Sequence, residues 1–285
     1  MARMHDESEI KTRKHEYHAE AEVLSGELHM PLKQKIEPQT TAHLYHRGGY
    51  IAEHSDLYRV EGVLSFNRAY TQVAGNRGKK TGHGWATLVT TVIEGLNVLE
   101  ILTCDRVVGQ IITEHPQEGY VPEISFLGTR FENLRVAGHP LKVDVDLKLI
   151  GDKPVKDAGY AKHPALMERL KKQYAGIHDR EDAPAELRKA YNQLSSTLET
   201  AEKIECSLVH HVTGSFPGIA FGNILKIPDF GTVELAKLKI CHEEYEKGIP
   251  QTTTITLTMM DLNLGCAIDG TVPLGTTSSG GKTRP

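Results

Sequence analysis

A chain of 285 residues, 39% hydrophobic and 25% charged, makes one large domain or two ordinary ones, and excludes wholesale disorder or a collagen-like fibre. Lys and Arg number 33 against 37 Asp and Glu, a formal charge of −4, so no global basic field is present to hold nucleic acid or anionic lipid. No apolar run reaches the ~18 residues of a membrane helix, so no membrane insertion is expected.

Residues 1–55 read as a polar N-terminal segment or arm without a clear period. Charges and histidines fill Met1 to Glu22, which lacks the apolar stretch of a secretory signal. Cys104, Cys206, Cys241 and Cys266 form no Cys-x-x-Cys pair. The expectation is a reduced, cytoplasmic setting with the cysteines as small apolar fillers; two disulfides in an exported protein are the alternative.

Residues 56–151 carry the period of strands. Val60, Gly62, Leu64 and Phe66 alternate, the run from Trp85 to Ile93 is apolar on both faces, and segments at 107–113 and 123–127 follow. Val143, Val145, Leu147 and Leu149 point one way, with Lys142, Asp144, Asp146 and Lys148 on the other. Turns are expected at Gly75-Asn76, Glu118-Gly119 and Gly138-His139-Pro140.

The period changes over residues 152–204, which read as an inserted helical hairpin. Pro164 opens one helix, with Met167, Leu170, Tyr174 and Ile177 on its apolar stripe. Asp182 is placed to cap the second, with Leu187, Tyr191, Leu194, Leu198 and Ala201 on its stripe. Residues 205–275 return to strands that pack with the first set. Thr253, Ile255, Leu257 and Met259 share a face, after which the apolar set jumps to Met260, Leu262, Leu264 and Cys266. The same change of parity falls between Leu235 and Ala236, so a bulge or bend is expected at both places. Residues 276–285 lack apolar side chains and read as a flexible tail. A faint echo, Phe131-Glu132-Asn133-Leu134 against Phe221-Gly222-Asn223-Ile224, fits a duplicated β unit or the general likeness of strands. The resulting fold class is mainly β, an antiparallel β-sandwich or barrel-like fold with bulges and an inserted α-helical hairpin.

Motifs for familiar chemistry fail one by one. The tail has Thr276 where a phosphate loop needs its first glycine. The stretch from Gly75 to Gly84 is glycine-rich and basic, an anion site or a mobile loop. His15 and His18 stand three apart, not the four of a zincin helix; His43 and His46 are the candidate metal ligands. His210 and His211 are adjacent in an apparent strand and should face opposite sides, which argues against a shared metal. Cys104 beside Asp105 has no histidine tied to it, and Asp144 with Asp146 reads as a solvated charge ladder. No motif implies a cofactor.

Strands apolar on both faces carry more apolar surface than one half-exposed sheet requires. The first expectation is therefore a non-enzymatic, self-assembling structural or scaffold protein that forms homo-oligomers. Its contacts are expected at Trp85, Val89, Ile93, Val107, Ile111, Leu187, Leu194 and Leu198. The alternative is a small-molecule-binding protein or enzyme with its site at strand ends, drawing on His83, Glu94, Asp105, His115 and Arg130.

Overall fold

The structure, a computed structural model, describes residues 13–30, 33–60, 62–78, 84–198, 202–265 and 268–284. Strands make up 62% of the chain, in two antiparallel sheets, with two helices inserted. β1 (Lys14–Met30) and β2 (Gln34–His43) come first. β3 (Gly49–Ser55), β4 (Tyr58–Val60), β5 (Leu64–Phe66) and β6 (Arg68–Arg77) lead into a long hairpin of β7 (Trp85–Val98) and β8 (Leu102–His115). Then come β9 (Glu123–Ser125), β10 (Arg130–Glu132), β11 (Leu134–Val136) and β12 (His139–Val145), followed by α1 (Pro164–His178) and α2 (Ala185–Thr197). β13 (Lys203–Ser207), β14 (Val209–Thr213), β15 (Ile219–Phe221) and β16 (Ile224–Ile227) precede three long strands, β17 (Gly231–Glu246), β18 (Ile249–Gly265) and β19 (Asp269–Arg284).

One sheet runs β15-β16-β17-β18-β19-β1-β2, with β13 also on β17. The other runs β14-β12-β11-β8-β7-β5-β4, with β6 joining β3 to β7 and with β9 and β10 on β8. Inward side chains of β7 and β8 meet those of β1 and β19 to form the sandwich.

Two ends of the chain depart from the sequence reading. The polar segment at 14–30 is not an arm but a strand between β19 and β2. The tail expected to be flexible is β19, paired on one side with β18 and on the other with β1. Small polar residues suit that central place: Thr277 and Ser279 are fully buried, and Thr113 and Ser279 share a hydroxyl–hydroxyl bond of 2.9 Å across the sandwich. Lack of apolar atoms was the wrong signal, because backbone pairing on both edges and close packing of small side chains hold the strand.

Both expected changes of parity are present, and they belong to one line. Ala236 stands opposite Met259, Met259 opposite Gly275, Gly275 opposite Val23 and Val23 opposite Thr40, crossing β17, β18, β19, β1 and β2. Ala236, Gly275 and Thr40 have φ of 45°, 64° and 49°. A left-handed residue turns the next side chain to the other face, and the buried set changes parity at this line on β1, β17, β18 and β19. Partners skip equal numbers of residues here, which makes this a bend rather than an inserted residue.

Other local expectations are corrected. Gly75-Asn76 is no turn but part of β6, where a Cβ on Gly75 would strike Leu44 and Tyr17. Asp182 does not cap α2; it pairs with Arg180, at 2.8 Å from Nε, and Pro184 takes the N-cap position. Phe131 to Leu134 runs on along β8, whereas Phe221 pairs with Ile224 across a hairpin, so the echo has no common geometry. The hairpin's α1 buries Leu166, Leu170, Tyr174 and Ile177. Its Gln173 side chain donates to Ser207 O at 2.8 Å and accepts from Ser207 N at 3.0 Å, closing the edge of β13 as another strand would.

Candidate functional site

Odd-numbered residues of β7 face inward, so Trp85, Val89 and Ile93 are buried in the chain's own sandwich, as are Val107 and Ile111 of β8. Leu198 is buried beside the helices, and Leu187 and Leu194 pack against the same core. The residues expected to meet another subunit therefore meet the second sheet or the core, because one face of a strand serves the interior. The surplus apolar surface lies on the even-numbered face. There Leu88, Val92 and Ile112 are half-buried, Val108 is buried, and Tyr50 and Tyr70 remain 64% and 38% exposed.

Strand register arranges this outer face in transverse rows. One row is Arg68, Glu94, Arg106 and Glu132, on β6, β7, β8 and β10 in turn. The next is Tyr70, Val92, Val108 and Arg130, and His54 of β3 continues it beside Tyr70. Two shallow depressions of about 560 and 660 Å³ lie over the rows and share Glu94 and Arg106. Arg106 Nε is 3.6 Å from Glu94 Oε1, and among the described residues this buried nitrogen has no hydrogen-bond acceptor. Arg130 Nε donates to Glu132 Oε1 at 2.6 Å and its Nη1 to Gly128 O at 2.9 Å.

Glu94 and Asp105 thus line the same depression, Asp105 accepting from Asn133 Nδ2 at 2.7 Å, and Arg130 joins them only through Glu132. Gly95, with φ 66°, makes the parity switch that brings Asp105 and Arg106 round together; a Cβ on it would lie 2.2 Å from Asn67 Nδ2. His83 lies outside the described residues. His115 is not at an open strand end: it is fully enclosed, 4.5 Å in ring separation from His15, which stacks on Trp85 at 5.2 Å. Burial holds His15 down to about 4 and His115 well below the usual imidazole range. These two histidines belong to an interior polar layer with Thr87, Thr91 and Thr113, which periodicity reads as alternation and nothing more.

The thiol of Cys104 is buried beneath the charged row and pushed up to about 12 by desolvation, so it is no nucleophile at neutral pH. His43 and His46 form no ligand set. His43 lies 3.6 Å from Glu20, and His46 sits in the turn after β2, where its carbonyl accepts from Tyr17 N. His210 and His211, expected to diverge, converge. Asp144 pairs with His211 but Val145 with Val209, so His210 is an extra residue that breaks the alternation of β14. Among the described residues no helix is long and apolar enough to cross a membrane.

A sequence-family profile described as Domain of unknown function (DUF8256) matches residues 15–241, from β1 into β17. No curated protein and no solved structure matches the chain.

Proposed function

The chain belongs to the DUF8256 family, and we propose that it is a structural protein that pairs with a second copy of itself through the outer face of β6, β7, β8 and β10. The observation that carries this reading is the order of the charged row: Arg68, Glu94, Arg106, Glu132. A two-fold axis lying in the contact plane, parallel to β7 and β8 and between them, reverses the row. Arg68 then meets Glu132 of the second copy and Glu94 meets Arg106, so all four contacts join opposite charges. The same operation lays Val92 on Val108, Leu88 on Ile112 and Tyr70 on Arg130, apolar on apolar and guanidinium on ring. Such aligned packing is an ordinary way for two sheets to meet face to face.

Size sets the strength. Four strands at ~4.8 Å and about seven residues at ~3.4 Å give a footprint of roughly 460 Å² per copy. Counted over both copies that is just under the ~1,000 Å² of an ordinary specific interface, so the contact is weak and transient, with an expected dissociation constant of about 1–100 μM.

Sedimentation velocity from about 5 to about 200 μM tests the reading over that range. Wild type should pass from monomer to dimer. Arg106→Glu places two like-charged contacts across the axis and should weaken association at least ~10-fold. The double variant Glu94→Arg/Arg106→Glu restores opposite charges at every contact and should recover association. A wild-type monomer throughout, or a double variant no better than the single one, overturns the proposal.

A further inference from the structure

Adjacent residues of a regular strand point to opposite faces and cannot hold one ion. The bulge at His210 removes that obstacle. His210 Nδ1 and His211 Nδ1 lie 3.0 Å apart, their rings inclined at 71°. Across the strand pair, Asp144 Oδ2 is 3.5 Å from His210 Nδ1 and 3.4 Å from His211 Nδ1. Three ligand atoms of two kinds therefore stand at the corners of a small triangle on the outside of β12 and β14. Donor atoms bound to one zinc at ~2.0–2.1 Å stand ~2.9–3.4 Å apart, from octahedral to tetrahedral angles. The triangle's sides match that span to within about 0.1 Å.

We propose that Asp144, His210 and His211 form a binding site for a divalent transition-metal ion of the zinc class. Two imidazoles and one carboxylate suit zinc, copper(II) or nickel(II) better than calcium or magnesium, which prefer oxygen alone. All three side chains are exposed, so the other coordination positions open to water or to an added ligand. His210 also lines a depression of about 470 Å³ with Asp146, Arg169, Lys172 and Gln173, in which Lys172 is paired with Glu168 and Arg169 donates to the Lys148 and Leu149 carbonyls. The site stands apart from the charged row and does not depend on self-association.

Metal-free protein without an affinity tag, titrated with Zn²⁺ by calorimetry and with Co²⁺ by visible absorption, tests the assignment. One zinc per chain should bind more tightly than ~100 μM, and cobalt should show the ligand-field bands of a nitrogen and oxygen set. His210→Ala, His211→Ala and Asp144→Asn should each weaken that site at least ~10-fold. His54→Ala, on the far outer face, should leave it unchanged. Because the three side chains are solvent-exposed, thermal melts of the metal-free variants should match wild type, which separates lost ligation from lost fold. No binding tighter than ~100 μM in wild type, or ligand variants that bind as wild type does, overturns the proposal.

Discussion

The His15 ring occupies the space that a side chain on Gly281 would need: a Cβ there would lie 2.5 Å from His15 Cε1 and 2.6 Å from Nε2. β1 and β19 are neighbours, and the glycine on one makes room for the imidazole on the other. Trp85 and His115 close the far side of the ring, so it has nowhere to retreat.

Gly281→Ala should therefore destabilise by about 1–3 kcal/mol through overpacking, although alanine is the better strand residue. Urea denaturation should show a lower midpoint. His15→Ala in the same chain should return part of the loss, a coupling that a purely local backbone effect would not produce.

Acid should weaken the fold before carboxylates matter. Burial lowers His15 and His242 to about 4, and lowers His115 as well. His242 Nε2 accepts the Tyr160 N–H at 2.8 Å, so its Nδ1–H faces Thr253 Oγ1 at 3.0 Å and the ring has no free nitrogen for a second proton. In the unfolded chain these rings take up protons near ~6.5, so the unfolded state binds more protons between ~6.5 and ~4. Stability is then full above ~6.5 and falls towards ~4, by up to about 1.4 kcal/mol per pH unit for each histidine. Urea midpoints at pH values across that window should show the slope, and His242→Gln should make it shallower.

The transverse bend rests on left-handed residues, and the two kinds of residue there should respond in opposite ways. Gly275→Ala adds a Cβ 3.3 Å from Met259 Cβ at φ 64° and should cost about 1–2 kcal/mol. Ala236→Gly, at φ 45°, removes a strained Cβ and should be neutral or stabilising despite lying within a strand. Thermal melts of the two variants would reveal the contrast.

Deleting residues 276–284 removes the partner of β1 from Lys14 to Glu22 and of β18 from Thr252 to Thr258. The shortened chain should lose its cooperative unfolding transition and bind a dye for exposed apolar surface. A flexible tail would be dispensable.

Where a strand is apolar, its alternation was legible: the runs at β7, β8, β17 and β18 and the two parity switches follow from side-chain order alone. The helical hairpin was equally plain because Leu170, Tyr174 and Ile177 keep a helical step. β1 and β19 were not legible, since His15, Tyr17, Ala19 and Ala21 against Thr277, Ser279 and Gly281 bury small or polar groups that carry no hydrophobic period. At the candidate sites, Glu94 and Asp105 were expected at strand ends but lie within β7 and β8, and only Arg130 begins a strand; the alternating row depends on register between four strands, which no single segment encodes. The His210–His211 pair was misjudged because the extra residue is defined only by its partner, Asp144 against Val145.

The pairing of β1 with β19 also sets a timetable. Glu16 and Arg284, joined by an ion pair, are 268 residues apart in the chain. At about 5–20 residues per second, β1 leaves the ribosome roughly 10–50 s before its central neighbour exists. Until then one long edge of β1 has only water to bond, and a search over so wide a loop makes the final zipping slow. Newborn copies should thus be open to capture by chaperones, or to swapping β1 with one another, for longer than a β-sandwich built from adjacent hairpins.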